Sequence, residues 1–334
     1  MIRNRFHNTD WVGQWYLILK ERGENDLVSM GRGLRQEDGF VKPVDKYSFS
    51  HSIMDGTSAV PHYFEELGEK IVPRETGFKK KISLWTVIKL TFQSLSISPE
   101  SRPQWKFVDT DRRPEDIHEY AKFCFNKEET KKVKEFCKEN KLSENAYIIR
   151  NFSKLILEMV DNPTDEMSWL FPVNVRGIIN KRDPKQNHSS FIPINVSNKT
   201  TAGGINNQIR SQLKSLRYIG IWWVHHLGVI FGKGLMRKLS HRASKRSFWL
   251  GTVSNVGEWE ANSPEYKSLG DDESWFFAAP GSNNFPIGLI IMTFNGKMGF
   301  SLKIHPSICD DSLTKAKEIL AKLRQECLKC SVDN

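Results

Sequence analysis

The spacing of apolar and polar positions changes several times along this chain, and each change predicts an element. Lys46-Tyr47-Ser48-Phe49-Ser50 alternates with the two-residue period of a half-buried strand, and the run 41–51 is read as one. Trp15-Tyr16-Leu17-Ile18-Leu19 is read as a strand as well. A helix follows at 58–68 behind a Thr or Ser cap. The apolar run 82–95 fits either a helix or a strand. Proline and charge gather over 97–114, which predicts a crossing loop. Two helices are predicted at 128–140 and 143–160, the second carrying Ala146, Ile149, Phe152, Ile156 and Met159 on one face. Asn162-Pro163 ends it and divides the chain into a first lobe, 1–162, and a second, 163–334. The second lobe reads as strands 167–175 and 191–197, helix 203–216, an apolar and basic segment 217–246, strands 248–256, 286–294 and 298–304, and helix 310–328. That last helix opens on Asp310-Asp311 and carries its basic residues later, as the helix dipole favours. Asn295-Gly296 predicts a type I′ hairpin. No internal repeat appears, and strands interleaved with helices in both halves predict an α/β mixed-sheet sandwich.

Length supports the division, because 334 residues exceed the ~250–300 over which a single core grows. The net charge of +10 favours an anionic partner: an anionic cofactor, an acidic carrier or an anionic membrane surface. Acidic residues offset basic ones along most of the chain and no nucleic-acid motif appears, which sets nucleic acid aside. Five scattered cysteines argue against a disulfide framework and for a reducing cytoplasm. Cys327-Leu328-Lys329-Cys330 lacks a second ligand pair, so no metal site is expected. Residues Met1 to His7 contain no apolar signal core, and no secretory route is expected. Asn187-His188-Ser189 matches a glycosylation sequon and, without that route, is read as ordinary polar residues. Glycines and histidines interrupt 217–246, which weakens a membrane-spanning reading. An interfacial helix at the inner face of a membrane and a lobe-packing helix with a basic end both remain open.

The densest chemistry lies in His51-Ser52-Ile53-Met54-Asp55-Gly56. His51 falls at a strand-to-helix turn, and imidazole, with an ordinary pKa of about 6.5, suits proton removal at neutral pH. Asp55 is placed to hold the local backbone through an ion pair. Arg176 ends the apolar strand of Pro172-Val173-Asn174-Val175-Arg176-Gly177, where an unpaired guanidinium is costly. Ser254 and Asn255, in Val253-Ser254-Asn255-Val256-Gly257, carry hydroxyl and amide donors on a buried strand. Each has a bland reading: a hydrogen-bonded core histidine, an arginine reaching solvent, ordinary turn residues. His225-His226 is read as packing and His62 as surface.

Taken in order, HSIMDG, PVNVRG and VSNVG resemble the CoA-dependent acyltransferase superfamily, which includes chloramphenicol acetyltransferase, plant BAHD enzymes, wax ester synthases and condensation domains. The resemblance spans roughly 45–325. It implies two similar lobes with a channel between them, into which an acyl thioester and an acceptor enter from opposite faces. His51 would be the general base for direct acyl transfer, beside Gly56 of the same motif. Asp55 and Arg176 would pair to support the loop, and Ser254 or Asn255 would steady the oxyanion. Acyl-CoA would be a co-substrate, or a carrier protein the donor, with a hydroxyl or amine acceptor and no tightly bound cofactor. Only fifty residues precede His51, fewer than such proteins usually have. A shortened front predicts an open site completed by a second subunit or a membrane through 217–239. The alternative is a non-catalytic binding or assembly protein that keeps the fold.

Overall fold

In the computed structural model, residues 11–331 are described apart from 25, 70, 72–81, 95–98, 100, 110, 112–118, 177–186, 264–269, 271, 280 and 283. The elements run α1 (Trp11–Glu21), β1 (Leu27–Arg35), β2 (Val41–Pro43), β3 (Tyr47–Ser50), α2 (Gly56–Glu66), α3 (Leu84–Ser94), β4 (Ala121–Cys124), α4 (Lys127–Glu139), α5 (Glu144–Leu157), β5 (Met167–Asn174) and β6 (Ser189–Val196). Then come α6 (Ala202–Ser215), α7 (Arg217–Phe231), α8 (Lys233–Arg246), β7 (Gly251–Trp259), β8 (Glu273–Ala278), β9 (Ile287–Phe294), β10 (Lys297–Ile304) and α9 (Ser312–Lys329).

Two sheets result. In the smaller, β1 pairs with β8 along one edge and with β2 and β3 along the other, all antiparallel. The larger runs β4-β10-β9-β7-β5-β6 and is mixed, with β7 parallel to both β5 and β9. Each sheet takes a strand from across Asn162-Pro163: β4 joins the large sheet and β8 the small one. The apolar runs of β9 and β10 are buried along their whole length because both faces are covered. One face packs on α4, α5 and α9 through Ile149, Phe300 and Leu320. The other meets the small sheet through Phe64, Trp275 and Phe294. The hairpin between β9 and β10 turns through left-handed Asn295 and Gly296, φ 47° and 76°, as a type I′ turn requires.

Several expected elements change. Residues 15–19 lie inside helix α1, whose tertiary contacts override the strand preference of its aromatic residues: the Trp15 indole donates to the His225 carbonyl of α7 at 3.0 Å. The run 41–51 divides into β2 and β3, because Asp45 accepts the backbone N–H of Arg32 at 2.8 Å and turns the chain between them. Helix α2 starts at Gly56 with Asp55 as its cap, ahead of the Thr or Ser expected to open it. The ambiguous 82–95 run is helix α3. Segment 217–246 is two helices broken at Gly232, φ 91°. Gly220 of α7 permits contact with α3, since a Cβ there would lie 2.1 Å from the Leu90 carbonyl oxygen. Among the described residues no helix is long and apolar enough to cross a membrane. Part of the 97–114 loop lies outside the described residues.

Candidate active site

Strand β3 delivers His51 to a turn that Asp55 closes. The Asp55 carboxylate caps α2, accepting the Ser58 backbone N–H at 3.0 Å and the Ser58 hydroxyl at 2.9 Å. Arg176, just beyond β5, reaches the same carboxylate with both terminal nitrogens, Nη1 at 2.8 Å from Oδ2 and Nη2 at 2.9 Å from Oδ1. The His188 backbone N–H donates to Oδ2 at 2.8 Å. Asp55 is 4% exposed and its oxygens are committed to these partners. It clamps the turn to the ends of β5 and β6. Gly56 allows close packing at this point, because a Cβ would stand 3.2 Å from Val256 of β7 and 3.2 Å from Phe277 of β8. Gly177, which closes PVNVRG, lies outside the described residues.

The His51 imidazole is half-buried, with Nδ1 3.0 Å from the Met54 carbonyl oxygen. That bond assigns the proton to Nδ1 and leaves Nε2 as the lone pair, with no hydrogen bond among the described residues. Asn187 donates its amide to the His51 carbonyl at 3.2 Å; its 3.3 Å approach to Nδ1 is no bond once Nδ1 carries the proton. Tyr16 of α1 lies against the imidazole, ring centroids 4.4 Å apart at 36°. Burial lowers the His51 pKa below its ordinary value, opposed by the Met54 carbonyl and the charges of Asp55 and Asp26. The ring is therefore neutral at neutral pH. Burial, then Asp55 and Asp26, hold the Tyr16 phenol well above its ordinary value, so it remains protonated.

Strand alternation separates Ser254 from Asn255. Ser254 shares a strand face with Val256, which packs toward α2. Asn255 faces α5, donating to the Asn145 side-chain oxygen at 2.8 Å and accepting the Gly257 backbone N–H at 2.9 Å. Those bonds hold the β7 bulge between Asn255 and Glu258. Among the described residues neither side chain bonds His51. His62 sits 3.6 Å from Glu66 on α2, and burial lowers His225 to about 4; the His226 side chain lies outside the described residues. Tyr16, Asn187 and His188 are the site residues that sequence reasoning missed. Tyr16 belonged to a supposed strand, and the other two carried only a sequon.

Among the described residues no group of three or more His, Cys, Asp or Glu side chains is placed to hold a metal. No protein-family model and no curated protein matches the sequence. Solved structures do match. One is the trichothecene 15-O-acetyltransferase from Fusarium sporotrichioides, at TM-score 0.56 and 10% identity over 96% of this chain and 75% of that one. The condensation domain from Monacolin K polyketide synthase gives 0.51 and 9%, over 85% and 68%. The epimerization domain from the third module of tyrocidine synthetase B gives 0.50 and 13%, over 85% and 68%. The chain therefore has the two-lobed fold of the chloramphenicol-acetyltransferase-like acyltransferases and condensation domains.

Proposed function

We propose that this protein transfers an acyl group from a CoA or carrier-protein thioester to a hydroxyl or amine, with His51 as general base. The observation that carries the reading is the imidazole itself: neutral, fixed by Met54 through Nδ1, and presenting Nε2 from a turn clamped by Asp55 and Arg176. As the acceptor oxygen or nitrogen attacks the thioester carbonyl carbon, Nε2 takes its proton. The tetrahedral intermediate collapses with cleavage of the C–S bond, and the imidazolium returns the proton to the departing thiolate. No acyl-enzyme forms. Ser254, on the strand face toward α2, is the better placed donor to the oxyanion, since Asn255 is committed to the bulge and α5. Asp55 and Arg176 position the turn and do not touch substrate.

The contrary reading, a binding or assembly protein, draws support from Tyr16 lying against the ring. The two separate by mass spectrometry of the purified chain incubated with a panel of acyl-CoAs and small acceptors. Transfer should appear in the wild type and fall on the order of 10²–10⁴-fold in His51→Ala. Absence of transfer across the panel, or equal transfer by the variant, rejects His51 as the base. For the peripheral contact expected of 217–246 we propose the end of α7 and the outer face of α8, where Phe231, Leu235 and Leu239 are exposed beside basic side chains.

A further inference from the structure

Beside the β4 edge of the large sheet, away from His51, lies a cavity of about 440 Å³. Its charged lining comes from Lys42 of β2, Lys46 in the turn before β3, Lys122 of β4 and Lys317 of α9, with Glu119 as the acid among them. Lys303 of β10 lies outside that lining but near it, close enough for the charge of Lys46 to act on it. The β4–β10 register sets Ser301 opposite Lys122 and Leu302 opposite Ala121, so Lys303 follows on the sheet face that Lys122 and Ser301 share. Lys303 is 6% exposed. None of the five lysines makes an ion pair among the described residues.

The Lys122 ammonium instead lies 4.2 Å from the centroid of the Tyr120 ring and 5.3 Å from that of Phe276. Its one hydrogen bond in the described structure is a long one, 3.4 Å to the Tyr120 carbonyl. Burial first, and then the charge of Lys46, lower both Lys122 and Lys303 to about 8, with Glu119 opposing at Lys122. A buried hydroxyl on the same sheet face also lacks a partner. Ser301 Oγ, on a residue 2% exposed, has no hydrogen-bond partner. The Tyr120 hydroxyl turns toward Ser29, whose Oγ lies 3.0 Å from Ser48 Oγ.

Placing four lysines around one cavity, with the half-buried Lys122 ammonium lacking a counter-charge, is unfavourable for the empty protein. One multiply charged oxyanion in the cavity gives these lysines that counter-charge. The remaining wall, Phe40, Val41, Pro43 and Leu313, is apolar and suits an organic body. We propose that this cavity binds an organic phosphate, its phosphate or diphosphate held by Lys122 together with Lys42, Lys46 and Lys317 and its apolar body lying along Phe40 and Leu313. The site does not rest on acyl transfer. A free nucleotide and CoA share this chemistry, and the test separates them.

Isothermal titration calorimetry of the full chain with inorganic pyrophosphate, ADP, CoA, adenosine and pantetheine provides that test. Pyrophosphate should bind, ADP or CoA should bind more tightly, and the two uncharged compounds should not bind. ADP exceeding CoA identifies a nucleotide site; CoA exceeding ADP identifies a donor site. Lys122→Met should weaken binding by about tenfold or more while leaving the ligand-free melting temperature unchanged or raised. Should that variant fail to fold, Lys42→Glu with Lys317→Glu at the rim must show the same loss. The proposal is overturned if pyrophosphate, ADP and CoA all fail to bind at millimolar concentration, or if folded variants bind as the wild type does.

Discussion

Asp55 and His51 sit four residues apart on one turn and do different work. The carboxylate holds structure together, so its loss should be felt in stability. Removing one partner of a buried, hydrogen-bonded ion pair costs about 3–5 kcal/mol. Asp55→Ala and Arg176→Ala should each lower the thermal midpoint well below that of His51→Ala, as calorimetry would show; equal midpoints for the three variants would contradict the clamp. The lowered pKa of His51 makes a second prediction at this scale. A histidine whose folded pKa lies below its unfolded value of about 6.5 binds fewer protons in the folded state between those two values. Its contribution to stability is therefore present above about 6.5 and is lost as pH falls toward the folded value. A base with that pKa also gives the pH profile of kcat/KM an acid limb centred below 6.5, and a limb centred above it would exclude His51 as the titrating base.

At the scale of elements, α7 and α8 behave oppositely. The tryptophans of 217–239 invite an interface reading, yet Trp222 is 7% exposed and belongs to the main core, with Trp223 packed against that core. Trp222→Glu would bury a carboxylate without a partner, and should lower stability by roughly 3 kcal/mol or more in urea titration. The contact surface lies further along. Phe231, 68% exposed at the end of α7, and Leu235 of α8 stand beside Lys233, Arg237 and Lys238. Flotation with anionic liposomes should recover the wild type and lose Phe231→Asp with Leu235→Asp, while both keep the same melting temperature. No flotation of the wild type would remove the membrane from the reading. Helix α1 packs on α7 and α8 and brings Tyr16 onto His51, so it covers one side of the ring.

For the whole molecule the strand exchange matters most. Because β4 completes the large sheet and β8 the small one, neither sheet is built from one side of Asn162-Pro163 alone. Shared strands couple the two sheets, and unfolding should be a single transition in which far-ultraviolet circular dichroism and tryptophan fluorescence coincide across urea concentration. Two separated transitions would show that the sheets open independently.

Local order was legible wherever one residue type dictates its own geometry. Asn295-Gly296 predicted its hairpin because few other pairs tolerate two left-handed residues. Ser143 and the periodic apolar face behind it marked α5, and the uninterrupted apolar runs marked β9 and β10. HSIMDG could be read as a strand-to-helix turn carrying an imidazole and an anion, since cap, glycine and imidazole lie within six residues. Long-range pairing was hidden: β1 pairs with β8 and β4 with β10, far along the chain, and no local period shows such partners. Segment 15–19 shows the same limit, as its aromatic residues favour a strand in isolation and became helical through contact with α7. Arg176 asked for an acid but could not show which one, and Asn187, His188 and Tyr16 carried no local sign of the site. Their positions follow from the ends of β5 and β6 meeting the start of α2 beneath α1. Only the tertiary structure decides such an arrangement, because Arg176, Asn187 and His188 lie more than a hundred positions from the HSIMDG turn and reach it through sheet pairing, while Tyr16 reaches His51 through the packing of α1.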